Sequence, residues 1–311
     1  MANHDVLDLG RMRVLREIGL RGSIAGAARS LGLTASAVSQ QLALLERETR
    51  AALVDRTPQG VVLTGAGQAL AERTGQVLEV LARAQADLDR SVGSLAGTVR
   101  IAAVASAGAT VVSSAVSALR ARHRGIEVSV VAAEPAAGID LLLARDVDLA
   151  VVDEYDQVPL ALPDYVSAVE LCREPLVAVL PAPGRRRPRL ADLAGQDWVM
   201  PPEGAACGQA VRAACRAAGF EPRVTWETDD MLLLATAVAA GHGVAVLPLQ
   251  SVAPNVPGVR TARIAGLDLH RTLRAVARAS AWNRPVVGAV LDQMRRAGRR
   301  LPGGRATRGG P

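Results

Sequence analysis

Between Val99 and Pro248, short apolar runs recur in the order VRIAAVA, IEVSVVAA, DLAVV, PLVAVLP and GVAVLP, separated by Ala-, Leu- and Arg-rich stretches long enough for helices. Such runs, rich in Val and Ile and bounded by helical segments, are the pattern of β-strands. Their alternation with helices restricts the region to an α/β fold with mostly parallel sheets. So many strand-helix units in roughly 200 residues predict two small α/β subdomains rather than one. With three Trp, two Tyr and one Phe in 311 residues, their cores must be built from Ala, Val and Leu.

The segment before Gly93 follows another rule. In LTASAVSQQLALLE, Leu33 to Glu46, the residues Val38, Leu42 and Leu45 repeat at i, i+4 and i+7, the stripe of a helix packed on one face. The opposite side offers Ser36, Ser39, Gln40 and Ala43, short neutral side chains suited to close approach and hydrogen bonding, as the DNA major groove requires. Upstream, Leu9, Met12, Leu15 and Ile18 predict a helix over residues 8–21. GSIAGAARSLG predicts a second, with Ser23 as N-cap and Ala27, Ala28 and Leu31 inward. Gly32 permits a tight turn and Thr34 caps the next helix. Two short helices joined by a glycine turn form a helix-turn-helix, whose second helix enters the major groove. Thr34, Ser36, Ser39, Gln40 and Gln41 are therefore expected at base edges or phosphates. Gln pairs bidentately with adenine and Ser serves several partners. After Glu46, RETRAALVDRTPQGVVLT holds a Pro-Gln-Gly turn between two apolar pieces, a β-hairpin wing. Arg47, Arg50 and Arg56 bracket it and are expected to hold phosphates, which fixes position without reading sequence.

A long helix is predicted from about Gly65 to Val92, capped by Thr64. Leu70, Thr74, Val77, Leu81, Ala84 and Leu88 recur at spacings of four and three, an a/d seam that favours a dimer.

Charge is less informative than it first looks. The net charge of +6 owes itself to residues 295–311, which hold six Arg and no acid; removing six of the 36 basic residues leaves 30 against 30 acids. The Gly/Pro/Arg tail from 301 to 311 is expected to be disordered, and the inference to DNA rests on motifs. No charged residue falls between Met231 and Val259, but Gly241, His242, Gly243 and Pro248 interrupt the run, which therefore predicts a buried helix, a glycine cap and a buried strand rather than a membrane span. The N-terminus has Asp5, Asp8 and Arg11 where a secretory leader would be apolar, and three cysteines are too few for a disulfide scaffold, so a cytoplasmic protein is expected. The four His are scattered and no CxxC, HxxxH, GxSxG, P-loop or strand-linked GxGxxG occurs. Neither metal, cofactor nor enzyme chemistry is expected.

Four fragments, GSIAGAARSLGLTASAVSQQLALLE, ALVDRTPQGVVLTGAGQAL, DLAVV and VAAGHGVAVLP, occur in an order and register that resemble the LysR-type transcriptional regulators over residues 8 to about 297. The resemblance implies a winged helix-turn-helix DNA-binding domain over 1–64 and a dimerising linker helix over 65–93. It further implies an effector domain over 94–300 similar to periplasmic binding proteins, with one half at 98–163 plus 268–300 and the other at 164–267. A small-molecule effector would bind between the halves. Homodimers would pair into tetramers that bend promoter DNA and contact RNA polymerase. By similarity the cleft-facing loops carry Ser106, Glu134, Ala206, Cys207, Thr228 and Asp229. Ser106 and Thr228 are expected to face each other as hydroxyl donors, and Glu134 or Asp229 to meet a cationic ligand. Val54 stands where the family usually has Phe, and Ala35 and Ser36 where it often has Gln or Pro. Peroxide-sensing members use two cysteines near Cys207 and Cys215, but eight residues along one helix separate these two by roughly 12 Å, beyond disulfide reach.

Overall fold

Helix α1 (Leu9–Arg21) begins where Asp8 accepts from the Arg11 N–H, and ends on Gly22. The computed structural model describes residues 7–58, 60–91, 95–160, 162–163, 166–182, 187–252 and 256–301. The central Gln59 of the wing turn and the tail beyond Leu301 lie outside the described residues. α2 (Ile24–Leu31) starts at Ser23, whose side chain accepts from the Gly26 N–H, and stops at Gly32 with φ +66°. That left-handed conformation is strained for residues with a Cβ, so glycine is required for the turn. α3 (Ala35–Thr49) follows at once, with Thr34 accepting from the Ala37 N–H at 3.1 Å. Leu15, Ile18, Ala27, Ala28, Val38, Leu42 and Leu45 form the shared core. Ala27 is fully buried, as the crossing of short helices demands. Strands β1 (Val54–Thr57) and β2 (Gly60–Leu63) pair antiparallel as the wing.

α4 (Gly65–Ser91) starts at Thr64, which accepts from the Gly67 N–H at 3.0 Å. Its expected seam does not run along one face. Leu70 packs against the helix-turn-helix core, and Thr74 is fully buried with its hydroxyl donating to the Leu70 carbonyl at 2.7 Å. Val77, Leu81 and Leu88 are exposed. The stripe therefore meets the protein's own core only over its first part, at Leu70 and Thr74, and is exposed further along the helix. These elements form one unit, Met1–Ser94 with Leu143–Asp146 and Arg278–Arg284. Within it the buried Glu79 of α4 accepts from both the backbone N–H and the hydroxyl of Ser280.

The second unit carries the α/β region. β3 (Gly97–Ala103) leads into α5 (Ala105–Ala107), which passes through a π-helical turn into α6 (Ser113–Arg122). β4 (Ile126–Ala132), α7 (Pro135–Leu143), β5 (Leu149–Tyr155) and the long β6 (Val166–Pro181) follow. Next come β7 (Asp197–Met200), α8 (Ala206–Ala217), β8 (Arg223–Glu227), α9 (Met231–Ala239) and β9 (Ala245–Pro248). β10 (Val259–Ala262), β11 (His270–Arg278) and α10 (Pro285–Arg300) complete the chain. The main sheet runs β10-β6-β11-β5-β3-β4, with β9 also on β6, and β7 and β8 form a separate pair.

The sheets are mixed rather than mostly parallel, which corrects the sequence expectation. β3 pairs parallel with β4 and β5, and β7 with β8, but β11 runs antiparallel to β5, and both β9 and β10 run antiparallel to β6. Apolar runs do not report strand direction, so β11, which returns late in the sequence to a central position, is indistinguishable from a parallel strand by pattern. The uncharged run from Met231 forms a helix buried on one face only, with Leu232 59% and Leu233 40% exposed where burial all round was expected, then a turn with Gly241 at φ +83° and the buried strand β9. Among the described residues no helix is long and apolar enough to cross a membrane.

Candidate DNA-reading helix and effector cleft

The side of α3 opposite its buried stripe presents Ser36, Gln40, Ala43 and Arg47 as exposed residues, with Ser39 half-buried beside them. Gln41 lies off that face, and its side-chain carbonyl accepts from Arg11 Nε at 3.3 Å. Thr34 spends its hydroxyl oxygen on the helix start. Arg56 is exposed on the wing strand β1, and Arg47 Nε donates to the Ala43 carbonyl at 3.3 Å. The helix-turn-helix thus groups Ser36, Ser39 and Gln40 on one surface and gives Thr34 and Gln41 work inside the fold.

In the α/β unit a cavity of about 510 Å³ opens beside the C-terminal end of β3, the start of α7, β5, and the loops that lead into α8 and α9. Strand ends and helix starts are where α/β sheets hold ligands. Ser106, Glu134, Ala206, Cys207 and Asp229 are all on its wall. Thr228 is not among the lining residues, and its hydroxyl accepts from the Asp230 N–H at 3.2 Å, beside the N-cap of α9. The expected Ser106–Thr228 pair across the cleft is therefore replaced by Ser106 and the neighbouring Asp229.

Behind the wall lies a buried polar network that sequence reading missed. Arg271, fully buried on β11, donates from Nη1 to Ser106 Oγ at 2.7 Å. From Nε and Nη2 it reaches Glu174 Oε1 at 3.0 and 2.5 Å. Glu174, 1% exposed, also accepts from the Gln250 N–H at 2.5 Å. Burial alone would lower the Arg271 pKa, but the Glu174, Tyr155 and Asp153 side chains more than offset it and the guanidinium is held firmly protonated. Tyr155 donates to Asp153 Oδ2 at 3.1 Å, and both line the cavity. Desolvation in the cleft, with like charge from Asp153 and Asp229, raises the Glu134 carboxyl above the usual carboxylate range.

Gly208 fixes one side of the cavity. A Cβ there would stand 2.1 Å from the Pro202 carbonyl oxygen and 2.6 Å from that of Pro201, so only glycine lets α8 approach the Pro201-Pro202 segment. The three cysteines are free and buried. Desolvation pushes the Cys207 thiol up to about 12 even though it is hydrogen-bonded with Tyr155. Among the described residues no group of three or more His, Cys, Asp or Glu is placed to hold a metal ion.

Residues 9–68 match the model of the bacterial regulatory helix-turn-helix protein, lysR family, and residues 93–299 match the LysR substrate binding domain. The chain belongs to the LysR family. A probable HTH-type transcriptional regulator, LrrA, of Synechococcus elongatus is 27% identical over 292 residues, 93% of this chain and 97% of that protein. The transcriptional dual regulator GltC of Bacillus subtilis is 26% identical over 255 residues, 81% and 84% of the two chains. Among solved structures, a full-length OxyR variant from Pseudomonas aeruginosa superposes with a TM-score of 0.73 at 20% identity, covering 98% of this chain and 99% of that one. Full-length CbnR complexed with its target DNA superposes with a TM-score of 0.55 at 20% identity, covering 93% and 99%. The fold is that of these regulators, and the protein is a LysR-type DNA-binding transcriptional regulator with a substrate-binding domain for its effector. Its family and relatives are transcriptional regulators and not enzymes.

For this LysR regulator, Ser106, Glu134 and Asp229 were accessible to sequence reasoning because they sit in loops after strand-like runs. Asp153, Tyr155, Glu174 and Arg271 lie within strands, where apolar patterning hides single polar residues. The one available signal was the pair of acids, Asp153 and Glu154, directly following DLAVV.

Proposed function

We propose that this regulator reads operator DNA in the cytoplasm as a homodimer, with Ser36, Ser39 and Gln40 at base edges and Arg47 and Arg56 on phosphates, while Thr34 and Gln41 hold the helix in place. The DNA-binding domain occupies 1–64 and the linker helix 65–93. The effector domain occupies 94–300, its halves meeting at the cleft. Dimers associate through α4, whose Val77, Leu81 and Leu88 are 42%, 50% and 61% exposed in the single chain. Large apolar side chains in such a row call for a partner surface.

The observation that carries the effector reading is the cavity itself. It is ligand-sized, lies at strand ends, and gathers Ser106, Glu134, Asp229 and the β5 pair Asp153 and Tyr155 from separate parts of the chain. A ligand there favours one closure of the two halves over another. It thereby alters the geometry of a dimer of dimers, the bend in the DNA and the contact with RNA polymerase. Footprinting on the DNA upstream of the protein's own gene, with and without fractionated metabolite pools, tests this. A protected region whose length changes with one fraction is expected; protection of no region, or of one insensitive to every fraction, overturns the respective half of the reading.

A further inference from the structure

The charges on the cavity wall are of one sign. Glu134, Asp153 and Asp229 line it, and among the described residues no Arg, Lys or His does. This is not the background of the chain, which has 36 basic residues against 30 acidic ones. Arg271, bonded to the lining residue Ser106, is fully buried, its Nε and Nη2 both committed to Glu174 and its Nη1 to Ser106. Asp153 stands 3.6 Å from Arg271 Nη1, so one guanidinium is shared between Glu174 and Asp153 while Glu134 and Asp229 are left without an opposing charge on the wall.

We propose that the effector is a small organic cation, an ammonium- or guanidinium-bearing molecule whose charged group sits among Glu134, Asp153 and Asp229; this rests on the cleft being the effector site. Carboxylates alone would not define a site. Here they line a cavity of about 510 Å³ in the part of the chain matched by a substrate-binding model, a volume that suits a metabolite of modest size. Three acids, of which only Asp153 shares a buried guanidinium, repel an anionic ligand and leave a cation with several acceptors, the arrangement in which charge-assisted hydrogen bonds are strongest. Val104, Val158 and Met231 supply apolar wall for a methylene stem. The Tyr155 hydroxyl, donating to Asp153, holds that carboxylate in place. The like-charge contribution of Asp153 and Asp229 to the raised Glu134 carboxyl is the repulsion that a bound cation relieves.

Thermal unfolding and calorimetric titration of the full-length protein test this with putrescine, agmatine and arginine on one side and glutarate and succinate on the other, at equal ionic strength. At least one cation should raise the melting temperature saturably. Glu134→Gln and Asp229→Asn should each weaken that cation about tenfold or more, as the loss of one charged acceptor does. Both positions are exposed, so folding is not at stake. Stabilisation by glutarate or succinate but not by the cations, binding of a cation that neither substitution weakens, or binding of none of the five overturns the proposal. A gel shift on the upstream DNA without ligand keeps the two readings apart. A protein that binds that DNA but answers to glutarate loses the cation inference and remains a regulator. One that binds agmatine in the cleft and no DNA fails as a regulator while its ligand class stands.

Discussion

Arg271 Nη1 donates to Ser106 Oγ at 2.7 Å while the other two nitrogens of the same guanidinium grip Glu174, so one buried side chain on β11 both neutralises an internal acid and orients a cleft hydroxyl. With one hydroxyl lone pair taken, the Ser106 O–H is left to address the cavity. Arg271 and Glu174 are 0% and 1% exposed, so neither charge has water to fall back on.

Removing one partner of such a pair is costlier than removing both. Arg271→Leu should destabilise the α/β unit by about 3–5 kcal/mol in urea unfolding, because it strands the Glu174 carboxylate in the core. Arg271→Leu combined with Glu174→Leu should recover much of that loss. Equal losses in the single and double variants would mean that shape at these positions, and not charge pairing, carries the stability.

Cys172, Cys207 and Cys215 are all pushed by burial from the usual 9.0 to about 12. At neutral pH almost no thiolate exists at any of them, and the thiolate is the reactive form. A thiol reagent at pH 7.5 should therefore modify none of the three in the folded protein and all three in denaturant. The sign of the linkage follows: these thiols bind protons more tightly when folded, so their stabilising contribution is complete below pH 9 and is lost as the pH climbs towards 12. Rapid modification of Cys207 without denaturant would reopen a redox role.

The fold was legible wherever local chemistry decides local structure. Ser23, Thr34 and Thr64 cap the helices that their positions predict, and Gly32 makes its turn, because capping and left-handed backbone are properties of one or two residues. Strand direction was not legible. VRIAAVA pairs parallel with β4 and β5, and the apolar part of β11 pairs antiparallel with β5, yet nothing in their composition differs. In the cleft, Glu134 and Asp229 could be found because loops at strand ends are short and polar. Thr228 lies one position from the cavity wall, beside the α9 cap, and sequence does not separate it from Asp229 because both are small and polar. Arg271 was hidden because its partner Glu174 is distant in sequence, and the pair exists only through tertiary pairing.

Gln40 and Arg56 should separate reading from holding. Gln40→Ala is expected to weaken binding to the cognate operator by about 1–3 kcal/mol with little change on random DNA, the cost of losing a bidentate base contact. Arg56→Ala should weaken both alike and flatten the dependence of affinity on salt, because it removes a phosphate contact and the counterions released with it. Fluorescence anisotropy on the two DNAs across a salt series measures both. A loss at Gln40 that is equal for cognate and random DNA removes it from the set of base readers.

The seam on α4 makes the remaining prediction. Thr74 is fully buried, whereas Leu81 is 50% and Leu88 61% exposed, so the apolar stripe runs past its own core between those positions. Leu81→Asp leaves the core of the DNA-binding unit untouched because the side chain does not belong to it. It places a carboxylate where a partner helix would have to bury it without a counter-charge, and an unpaired buried charge is among the costliest changes available. Sedimentation should show dimers giving way to monomers with unchanged circular dichroism. Operator affinity should fall further than for any single phosphate contact, since two half-sites are no longer engaged by one particle. Arg83→Asp, on an exposed position away from Val77, Leu81 and Leu88, changes the helix charge without entering the stripe and should leave the oligomer as it was. If Leu81→Asp sediments like the unaltered protein, association runs through another surface and the exposed leucines of α4 need a different occupant. If Arg83→Asp dissociates it equally, the effect is one of helix charge and the seam assignment falls with it.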